Sequence, residues 1–342
     1  MLTTLAFIFV FGIVVLVHEL GHFLVAKKVG IRADEFGLGF GKKIFAVKHG
    51  ETTYSLNLIP LGGFVKLAGM DGNEEVETGK SYNEKNVWQK MAVIVSGPLM
   101  NFLLAFLLFA FIFSWYGVPV NVSNSTEIGN ILPGYPAEKA GLQPGDKILA
   151  VNGEQVRNWE QVVGIVNRNP NKPTAFTVER DNRQFQVKIT PRLEQERKVG
   201  LIGITPKVIT EKLGPWAAIK NGFLQTVGIT WAIIIGLKQM IMGQIAGDVS
   251  GPLGIAQMAG QAAKTGMENL LRLTAVLSIN LGLFNLLPIP ALDGGRLFFL
   301  GIEAVRGKPI EPQKEGMVHL VGFMLLIFLL LIVTYKDITR LF

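Results

Sequence analysis

Long apolar runs alternate with polar stretches along the 342-residue chain. The first run, Leu5 to Ala26, spans about 33 Å as a helix, which is enough to cross the hydrocarbon core of a bilayer. Three later runs have comparable length and apolar content. The pattern predicts a polytopic α-helical membrane protein with four transmembrane helices, at residues 1–27, 91–116, 270–302 and 317–335.

The positions of the basic residues predict how these helices are oriented. Residues 1–26 contain no Lys or Arg, whereas Lys27, Lys28 and several later lysines lie in residues 28–90, between the first two predicted helices. Because cytoplasmic loops collect Lys and Arg, we expect this loop in the cytoplasm and both chain termini outside it. The uncharged start of the chain lacks the basic region of a signal peptide, which favours a retained first helix.

Two short segments of the 28–90 loop, at residues 52–56 and 58–65, have the composition of β-strands. Pro60 and the glycine pair that follows it indicate turns. We therefore expect a β-hairpin in this loop. The residues alone leave two forms open, a hairpin in the cytosol and a hairpin that dips toward the membrane, and they slightly favour the first.

An insert at residues 120–207 is charged, strand-like and rich in turns, and its place after the second helix puts it outside the cytoplasm. From Ile131 to Gly153 the sequence predicts a strand, a short helix, a Gly-Asp turn, a strand and an Asn-Gly turn. This order resembles a PDZ domain, an α/β fold that binds an extended peptide at a sheet edge. The resemblance implies a groove beside Ile128, Gly129 and Ile131. A domain that only blocks access sterically is the alternative.

Residues 211–246 contain Trp216 and Trp231, but Lys220 and Lys238 interrupt their apolar run. The run is too short and too interrupted for a transmembrane helix. It is typical of an amphipathic helix that lies in the membrane interface with its Trp residues at headgroup depth.

Composition narrows the possible chemistry. Charged residues make up 17% of the chain, where a soluble domain has about a quarter, and 49% of the residues are hydrophobic. The net charge is +7, but no basic stripe with interleaved aromatics occurs, so nucleic acid is excluded as a partner. The chain has no Cys, which excludes thiolate metal sites. A transition metal would need His, Asp or Glu ligands, and there are only four His.

Two of these four His lie in the first predicted helix. His18 and His22 are four residues apart, so both imidazoles face the same side and can each supply a nitrogen to one tetrahedral zinc ion. Glu19 lies about 100° round the helix from His18, beside the metal without binding it, where it can move a proton between a water and a leaving amine. Ionisable groups inside a membrane span are unfavourable and usually functional, which makes this short motif informative.

A catalytic zinc ion usually has three protein ligands. Asp293 is the strongest third candidate, because it is an acid within a predicted span and follows a Pro-broken segment. The two glycines after it allow backbone and metal to approach closely. The other candidate ligands are Glu35, His49, Glu303 and His319.

Several segments together resemble the site-2 protease family, and more narrowly the bacterial RseP-type regulated intramembrane zinc metalloproteases. These segments are the motif His18 to His22, the segment Asn285 to Gly295 with its Leu-Asp-Gly core, and Ser96 to Pro98 followed by Asn101. A PDZ-like insert lies between them, and the match covers essentially the whole chain.

The resemblance implies one Zn²⁺ ion per chain, bound by His18, His22 and Asp293, with Glu19 as the general base.

The resemblance also implies a substrate-binding role for Asn285. It makes the hairpin around Gly62, Gly63 and Phe64 a membrane-associated element that presents a strand edge to an unwound substrate helix.

The implied activity is regulated intramembrane proteolysis of single-span membrane proteins that a site-1 protease has already cut outside. Anti-sigma factors and signal-peptide remnants are the implied substrates, and the implied location is the bacterial cytoplasmic membrane, in contact with its lipid. Two alternatives are a non-proteolytic PDZ membrane scaffold and a metal transporter. Glu19 favours the protease, because neither alternative needs an acid that lies beside a metal without binding it.

Overall fold

The computed structural model of the chain describes residues 1–70, 76–121, 125–194, 198–245 and 251–339. The chain forms two compact units, one from Met1–Trp115 with Leu213–Phe342 and one from Tyr116–Lys212. The helices are α1 (Leu2–Lys28), α2 (Val87–Trp115), α3 (Pro136–Lys139), α4 (Trp159–Asn167), α5 (Pro215–Ile241), α6 (Pro252–Thr265), α7 (Met267–Asn285), α8 (Asp293–Arg306) and α9 (Pro312–Thr339). The strands are β1 (Ala33–His49), β2 (Thr52–Leu67), β3 (Val118–Asn121), β4 (Ile128–Ile131), β5 (Lys147–Val151), β6 (Glu154–Gln155), β7 (Thr174–Arg180), β8 (Arg183–Ile189), β9 (Arg192–Glu194), β10 (Val199–Leu201), β11 (Ile204–Pro206) and β12 (Val208–Glu211).

Within the described residues, four helices of the first unit are long and apolar enough to cross a membrane. They are α1, α2, α5 and most of α9. The chain is therefore a multi-pass membrane protein, as its apolar pattern predicts. Helix α2 packs against α1, α5 and α7, so it lies at the centre of this unit.

Helix α5 lies within the helix that the sequence predicts at 211–246. It runs without interruption for 27 residues, and its length and hydropathy qualify it as a candidate span, although the pattern favours an interfacial helix at 211–246. Lys220 and Lys238 do not break the helix, because Lys has a high helix propensity.

The predicted span at 270–302 is divided into two helices, α7 and α8, by residues 286–292. The prolines in this connection remove backbone donors and prevent one continuous helix. The connection folds back on the start of α8, so that a side chain at Gly294 would overlap the carbonyl of Leu287, and one at Gly295 would lie 2.5 Å from the carbonyl oxygen of Ile289. Only glycine fits at these two positions, and the close approach fixes where α8 begins.

The loop between α1 and α2 contains a sheet that is larger than the predicted hairpin. The chain reverses at residues 50–51, where β1 leads into β2. The two short strands predicted at 52–56 and 58–65 are present within β2, but residues 35–38 of β1 lie between them and face both 53–56 and 63–66. The prediction missed β1, whose apolar alternation is obscured by three glycines and a Lys pair between residues 37 and 43.

The second unit has the order of elements that the sequence predicts for a PDZ-like domain. Strand β4 leads through α3 to β5, and the Asn152-Gly153 turn follows. The central sheet has the strand order β6-β5-β7-β8, and its largest fully buried side chain is Phe176. Arg180 forms hydrogen bonds of 2.6 and 2.7 Å with Asp146; burial raises the pKa of this carboxyl, but the bonds from Arg180 hold it below its usual value.

The predicted groove strand of this domain does not have a free edge. Ile131 pairs with Ile204 of β11, and Ile128 exchanges backbone hydrogen bonds with Gly145 and Asp146 on the other side. Ile128 is 1% exposed and belongs to the core, and a side chain at Gly129 would overlap the carbonyl of Pro206. Both sides of Ile128 are therefore already paired, which leaves no free strand edge for a peptide there, whereas the groove role of Gly129 and Ile131 stays a prediction.

Candidate metal centre

Helix α1 brings the two predicted His ligands to one buried face. His18 and His22 are 6% and 8% exposed, and their rings lie edge to face with centroids 4.8 Å apart. The helix is continuous through this region because its other residues are apolar and it contains no proline. The spacing of four residues thus places both imidazoles on the same side of the helix, as predicted.

Asp293 completes a group of three ligand atoms. Its Oδ2 lies 3.1 Å from His18 Nε2 and 3.3 Å from His22 Nε2, and the two Nε2 atoms are 3.2 Å apart. In a tetrahedral zinc site with usual bond lengths, neighbouring ligand atoms are about 3.3 Å apart. Among the described residues, this is the one group of His, Asp and Glu side chains with metal-ligand spacing.

The carboxylate itself indicates that a cation belongs here. Asp293 Oδ2 is buried but accepts no hydrogen bond of good geometry from the residues that the structure describes. A buried carboxylate oxygen without a donor is unfavourable unless a positive charge compensates it. The residues present therefore fit a zinc ion, which two imidazole nitrogens and one carboxylate oxygen would hold.

Hydrogen bonds fix the orientation of His22. Its Nδ1 donates to the carbonyl oxygen of Val93 at 2.8 Å, which leaves the lone pair of Nε2 free for a metal. Gly97 lies directly against the same ring, since a side chain there would overlap Nε2. A side chain at Gly21 would likewise overlap the carbonyl of Ser96. The two glycines allow α1 and α2 to approach closely beside the ligands.

A buried polar chain supports His18 in the same way. The amide of Asn101, which is fully buried, lies 3.2 Å from His18 Nδ1. With its oxygen turned toward the ring, this amide accepts the Nδ1 proton. Ser278 of α7 donates to the backbone carbonyl of Asn101 at 2.8 Å. Three helices therefore hold the ring of His18.

Glu19 lies beside the ligand group, between it and the sheet, without being part of the group. The backbone N–H of Val65 donates to its carboxylate. A side chain at Gly63 would lie 3.2 Å from Glu19 Cγ and 3.1 Å from Val15 Cγ1. Strand β2 thus runs directly past the acid, and the side of the strand that bonds Glu19 is the side not paired with β1.

Comparison with known proteins identifies the family. The profile of peptidase family M50 matches residues 6–329. The zinc metalloprotease RasP of Geobacillus kaustophilus is 37% identical over 99% of this chain and 98% of its own length. The regulator of sigma-W protease RasP of Bacillus subtilis is 36% identical over 99% of both chains, and the probable protease eep of Enterococcus faecalis is 32% identical over 100% of both. The chain belongs to peptidase family M50.

Several similar solved structures are single domains that cover about a quarter of this chain. The PDZ domain of an SdrC-like protein from Listeria monocytogenes is 17% identical and covers 26% of this chain and 93% of its own, with a TM-score of 0.23. A solution structure from Geobacillus thermodenitrificans is 25% identical and covers 25% of this chain and 94% of its own, with a TM-score of 0.20. Scores this low carry no argument, so the PDZ-like character rests on the order of the strands.

Membership of the family and zinc metalloproteases as full-length relatives establish the activity class. This M50 peptidase is a membrane-bound zinc metalloendopeptidase, and zinc is its cofactor.

The other ligand candidates of this M50 peptidase lie outside the metal centre. Glu35 is bonded by Ser55 at 2.6 Å and by Lys43 at 2.8 Å. The remaining three lie at other positions: His49 is exposed at the end of β1, Glu303 pairs with Lys90 at 3.1 Å, and His319 accepts the backbone N–H of Ala291 at 2.8 Å.

The predicted substrate-binding residues lie around the centre. Asn285 Nδ2 is 3.4 Å from His18 Nε2, so it borders the position of the metal. Gly63 lies beside Glu19, whereas Phe64 stacks on Phe40 with ring centroids 6.2 Å apart. A side chain at Gly62 would overlap the same Phe40 ring. Of the three hairpin positions, only Gly63 approaches the acid directly.

Sequence reasoning missed two supporting groups, the carbonyl of Val93 and the hydroxyl of Ser278. A backbone carbonyl has no sequence signal. Ser278 could have been noticed as a small polar residue in an apolar run, but nothing in its spacing connects it with His18.

Proposed function

We propose that His18, His22 and Asp293 hold the zinc ion and that Glu19 is the general base of an intramembrane endopeptidase. The observation that supports this most strongly is the convergence of three ligand atoms at 3.1 to 3.3 Å with an acid next to them that is not part of the group. A zinc ion at this position supplies Lewis-acid chemistry to a substrate carbonyl and to water. Glu19 accepts a proton from the attacking water and passes it to the nitrogen of the leaving amine.

The unpaired side of β2 is the proposed binding site for the substrate backbone. A peptide bond within a helix is shielded by its own hydrogen bonds, so the substrate must unwind before it is cut. A strand edge can take over these bonds by adding the unwound segment to the sheet. Residues 63–65 form such an edge beside Glu19, and Asn285 lies on the metal side, where its amide can hold a substrate carbonyl.

Exposed apolar residues support a membrane-associated sheet. Five large side chains of β1 and β2 are roughly half or more exposed, which is unfavourable in water and suitable in contact with lipid. They are Phe40, Ile44, Phe45, Leu58 and Ile59.

The proposed topology has four membrane crossings, by α1, α2, the α7–α8 pair and α9. Helix α5 begins next to the end of α2, where the N–H of Leu213 donates to the carbonyl of Phe113. Helix α6 contacts Thr3 at the start of α1 and Asp337 near the end of α9. These ends lie on one side, so an even number of crossings separates the starts of α5 and α6. Ten residues between the two helices are too few for a second span, so α5 makes no net crossing.

This topology places both chain termini and the PDZ-like unit outside the cytoplasm of a bacterium, with the metal centre toward the cytoplasmic half of the membrane. His22 is four residues before Ala26, the last apolar residue of α1, which corresponds to about 6 Å along the helix. Lys27 and Lys28 then lie at the cytoplasmic surface.

We infer that the substrates are single-span membrane proteins already shortened outside by a site-1 protease. One relative is named as the regulator of sigma-W protease, which supports anti-sigma factors as one substrate class, with signal-peptide remnants as another. The PDZ-like unit then either binds the exposed end of the shortened protein or excludes uncut ones by size.

Substitution of Glu19 tests the mechanism. The Glu19→Gln variant keeps all three ligands, so zinc content measured by atomic absorption is expected to be unchanged. Cleavage of a single-span reporter in detergent is expected to fall by at least about a hundredfold, because the general base is lost. The Asp293→Ala variant is the matched comparison, and it is expected to lose both zinc and cleavage. Full cleavage by the Glu19→Gln variant would show that the proposed role of Glu19 is wrong.

A further inference from the structure

A cavity with several polar groups in its wall lies one helical turn beyond Asp293. It has a volume of about 360 Å³ and is bounded by the segment after the sheet, the start of α2, helix α8 and the start of α9. The polar groups in its wall are Tyr82, Asn83, Lys90, Arg296, Glu303, Glu315 and His319. None of these belongs to the metal centre.

Arg296 is the first unusual group of this cavity. It is half-buried, yet within the described part of the chain its guanidinium group forms no hydrogen bond and no ion pair. A guanidinium group presents five N–H donors and normally binds a carboxylate, often through two parallel bonds. Asp293 and Arg296 are three residues apart on α8, so their side chains are neighbours on its surface, with Cβ atoms about 5 to 6 Å apart.

His319 is the second unusual group. Its Nδ1 accepts the backbone N–H of Ala291 at 2.8 Å, so the proton of the neutral ring is on Nε2. This Nε2 is buried and has no hydrogen-bond partner among the described residues, where the Glu315 carboxylate oxygen lies 3.7 Å away. Two sets of unused donors therefore line one cavity.

The charges of the wall limit how tightly an anion can bind. Lys90 and Glu303 form an ion pair of 3.1 Å, which leaves Arg296 and Glu315 as opposite charges without a direct contact. The wall is neutral as a whole. An anion in the cavity would accept hydrogen bonds from Arg296 and His319 but would be repelled by the charge of Glu315. Such an anion would bind weakly enough to leave after each turnover.

We propose that this cavity binds a carboxylate of the substrate chain, foremost the new C-terminus that forms on cleavage. The inference rests on the proposed proteolysis. Hydrolysis adds water across the peptide C–N bond and gives one carboxylate and one amine, so each turnover creates a carboxylate within a turn of Arg296. Arg296 and the Nε2–H of His319 accept this group as it leaves the metal centre, and the product departs from there. An acidic side chain of the substrate is the other source of the same chemistry.

Peptide binding to the zinc-loaded full chain in detergent tests this site by calorimetry. The probe is an acetylated tetrapeptide of Leu and Ala, as a free acid and as an amide. The Arg296→Gln variant is expected to bind the acid about tenfold more weakly and the amide unchanged, because charged hydrogen bonds are lost. The Arg296→Lys variant keeps the charge but not the planar group with its paired N–H donors. Its affinity for the acid is expected to lie between those of the unsubstituted chain and the Arg296→Gln variant.

Two further variants separate binding from structural effects. His319→Phe preserves the ring contact with Phe299 but removes the donor, and it is expected to weaken acid binding several-fold. Glu315→Gln removes the opposing charge and is expected to tighten acid binding several-fold, an improvement that a merely structural role would not produce. Arg306→Gln is the matched control, because it removes an exposed Arg from the same helix and should change nothing.

An amide probe that ends in a Glu residue distinguishes the two sources of the carboxylate. If this amide depends on Arg296 and the free acid does not, the site binds an acidic side chain instead of a new C-terminus. If the affinity of neither probe changes on substitution of Arg296 in variants that retain zinc, the proposed carboxylate site is refuted. A preference for the free acid that is equal in every variant would then come from coordination to zinc alone. These experiments measure binding and not cleavage. Failure of the unsubstituted chain to cut a reporter would therefore contradict the proposed proteolysis but not the proposed carboxylate site.

Discussion

Gly97 contributes no side chain, yet it decides how closely α2 approaches His22. The ring of His22 occupies the space that a side chain at this position would need. The carbonyl of Val93, one turn earlier on α2, holds the opposite nitrogen of the same ring. The position of one zinc ligand therefore depends on the absence of a methyl group on the neighbouring helix.

We predict that Gly97→Ala weakens zinc binding by roughly ten- to a hundredfold, the range seen when groups that orient metal ligands are lost. The added methyl group would displace the His22 ring from its bond with Val93. Competition with a fluorescent zinc chelator measures the effect. Gly12→Ala in α1 is the control, because a side chain there meets nothing within 4 Å. Equal zinc affinity of the two variants would contradict the prediction.

At this scale the sequence predicts the groups that carry chemistry better than the groups that support them. His18, Glu19 and His22 are recognisable because ionisable residues inside an apolar run are rare. Asp293 follows from the need for a third ligand and from the broken segment before it. The supporting contacts of Val93 and Ser278 depend on how three helices meet, which no spacing within one helix can indicate.

For the sheet, the sequence predicts the strand segments of β2 but not how they pair. Both short strands at 52–56 and 58–65 exist, but they flank residues 35–38 and do not pair with each other. Strand composition identifies segments that prefer an extended backbone, whereas the pairing depends on contacts distant in sequence. The true order places residues 63–65 beside Glu19, as the proposed binding edge for the substrate, which the sequence alone could not locate.

Removal of one backbone donor tests the role of this edge. We predict that Val65→Pro lowers cleavage of a helical reporter at least tenfold, because proline has no N–H to offer to Glu19 or to an added strand. Zinc content is expected to remain normal, since residue 65 touches no ligand. Val65→Ala keeps the N–H and serves as the control, with nearly full cleavage expected. Comparable loss in both variants would mean that side-chain packing matters here instead of the edge.

Across the whole molecule, the apolar pattern predicts a multi-pass protein with one folded insert, and the long apolar helices agree with this. The helix expected at 211–246 is present as α5, whose length and hydropathy also qualify it as a candidate span. The segment 270–302, expected as one span interrupted by Asn285 to Gly295, forms the two helices α7 and α8. The pattern gives the extent of such segments, whereas which of them cross the bilayer depends also on where the neighbouring helices end.

The proposed topology has a direct test, because the chain has no Cys of its own. A single Cys at Gln244, just after α5, is expected to react with a membrane-impermeant maleimide added from outside the cell. A Cys at Lys28 is the cytoplasmic control and is expected to react only after the membrane is opened. Protection of the Gln244 position in intact cells would show that α5 crosses the bilayer.

The metal centre joins residues that the ribosome makes far apart. His18 and His22 enter the membrane with the first helix, whereas Asp293 follows His18 by 275 positions. In the proposed site, two imidazoles alone form an incomplete zinc site until Asp293 has been inserted. The sheet, the second helix and the PDZ-like unit all precede Asp293 in the chain. A copy truncated before this residue is therefore expected to lack a complete zinc site, and with it the protease activity.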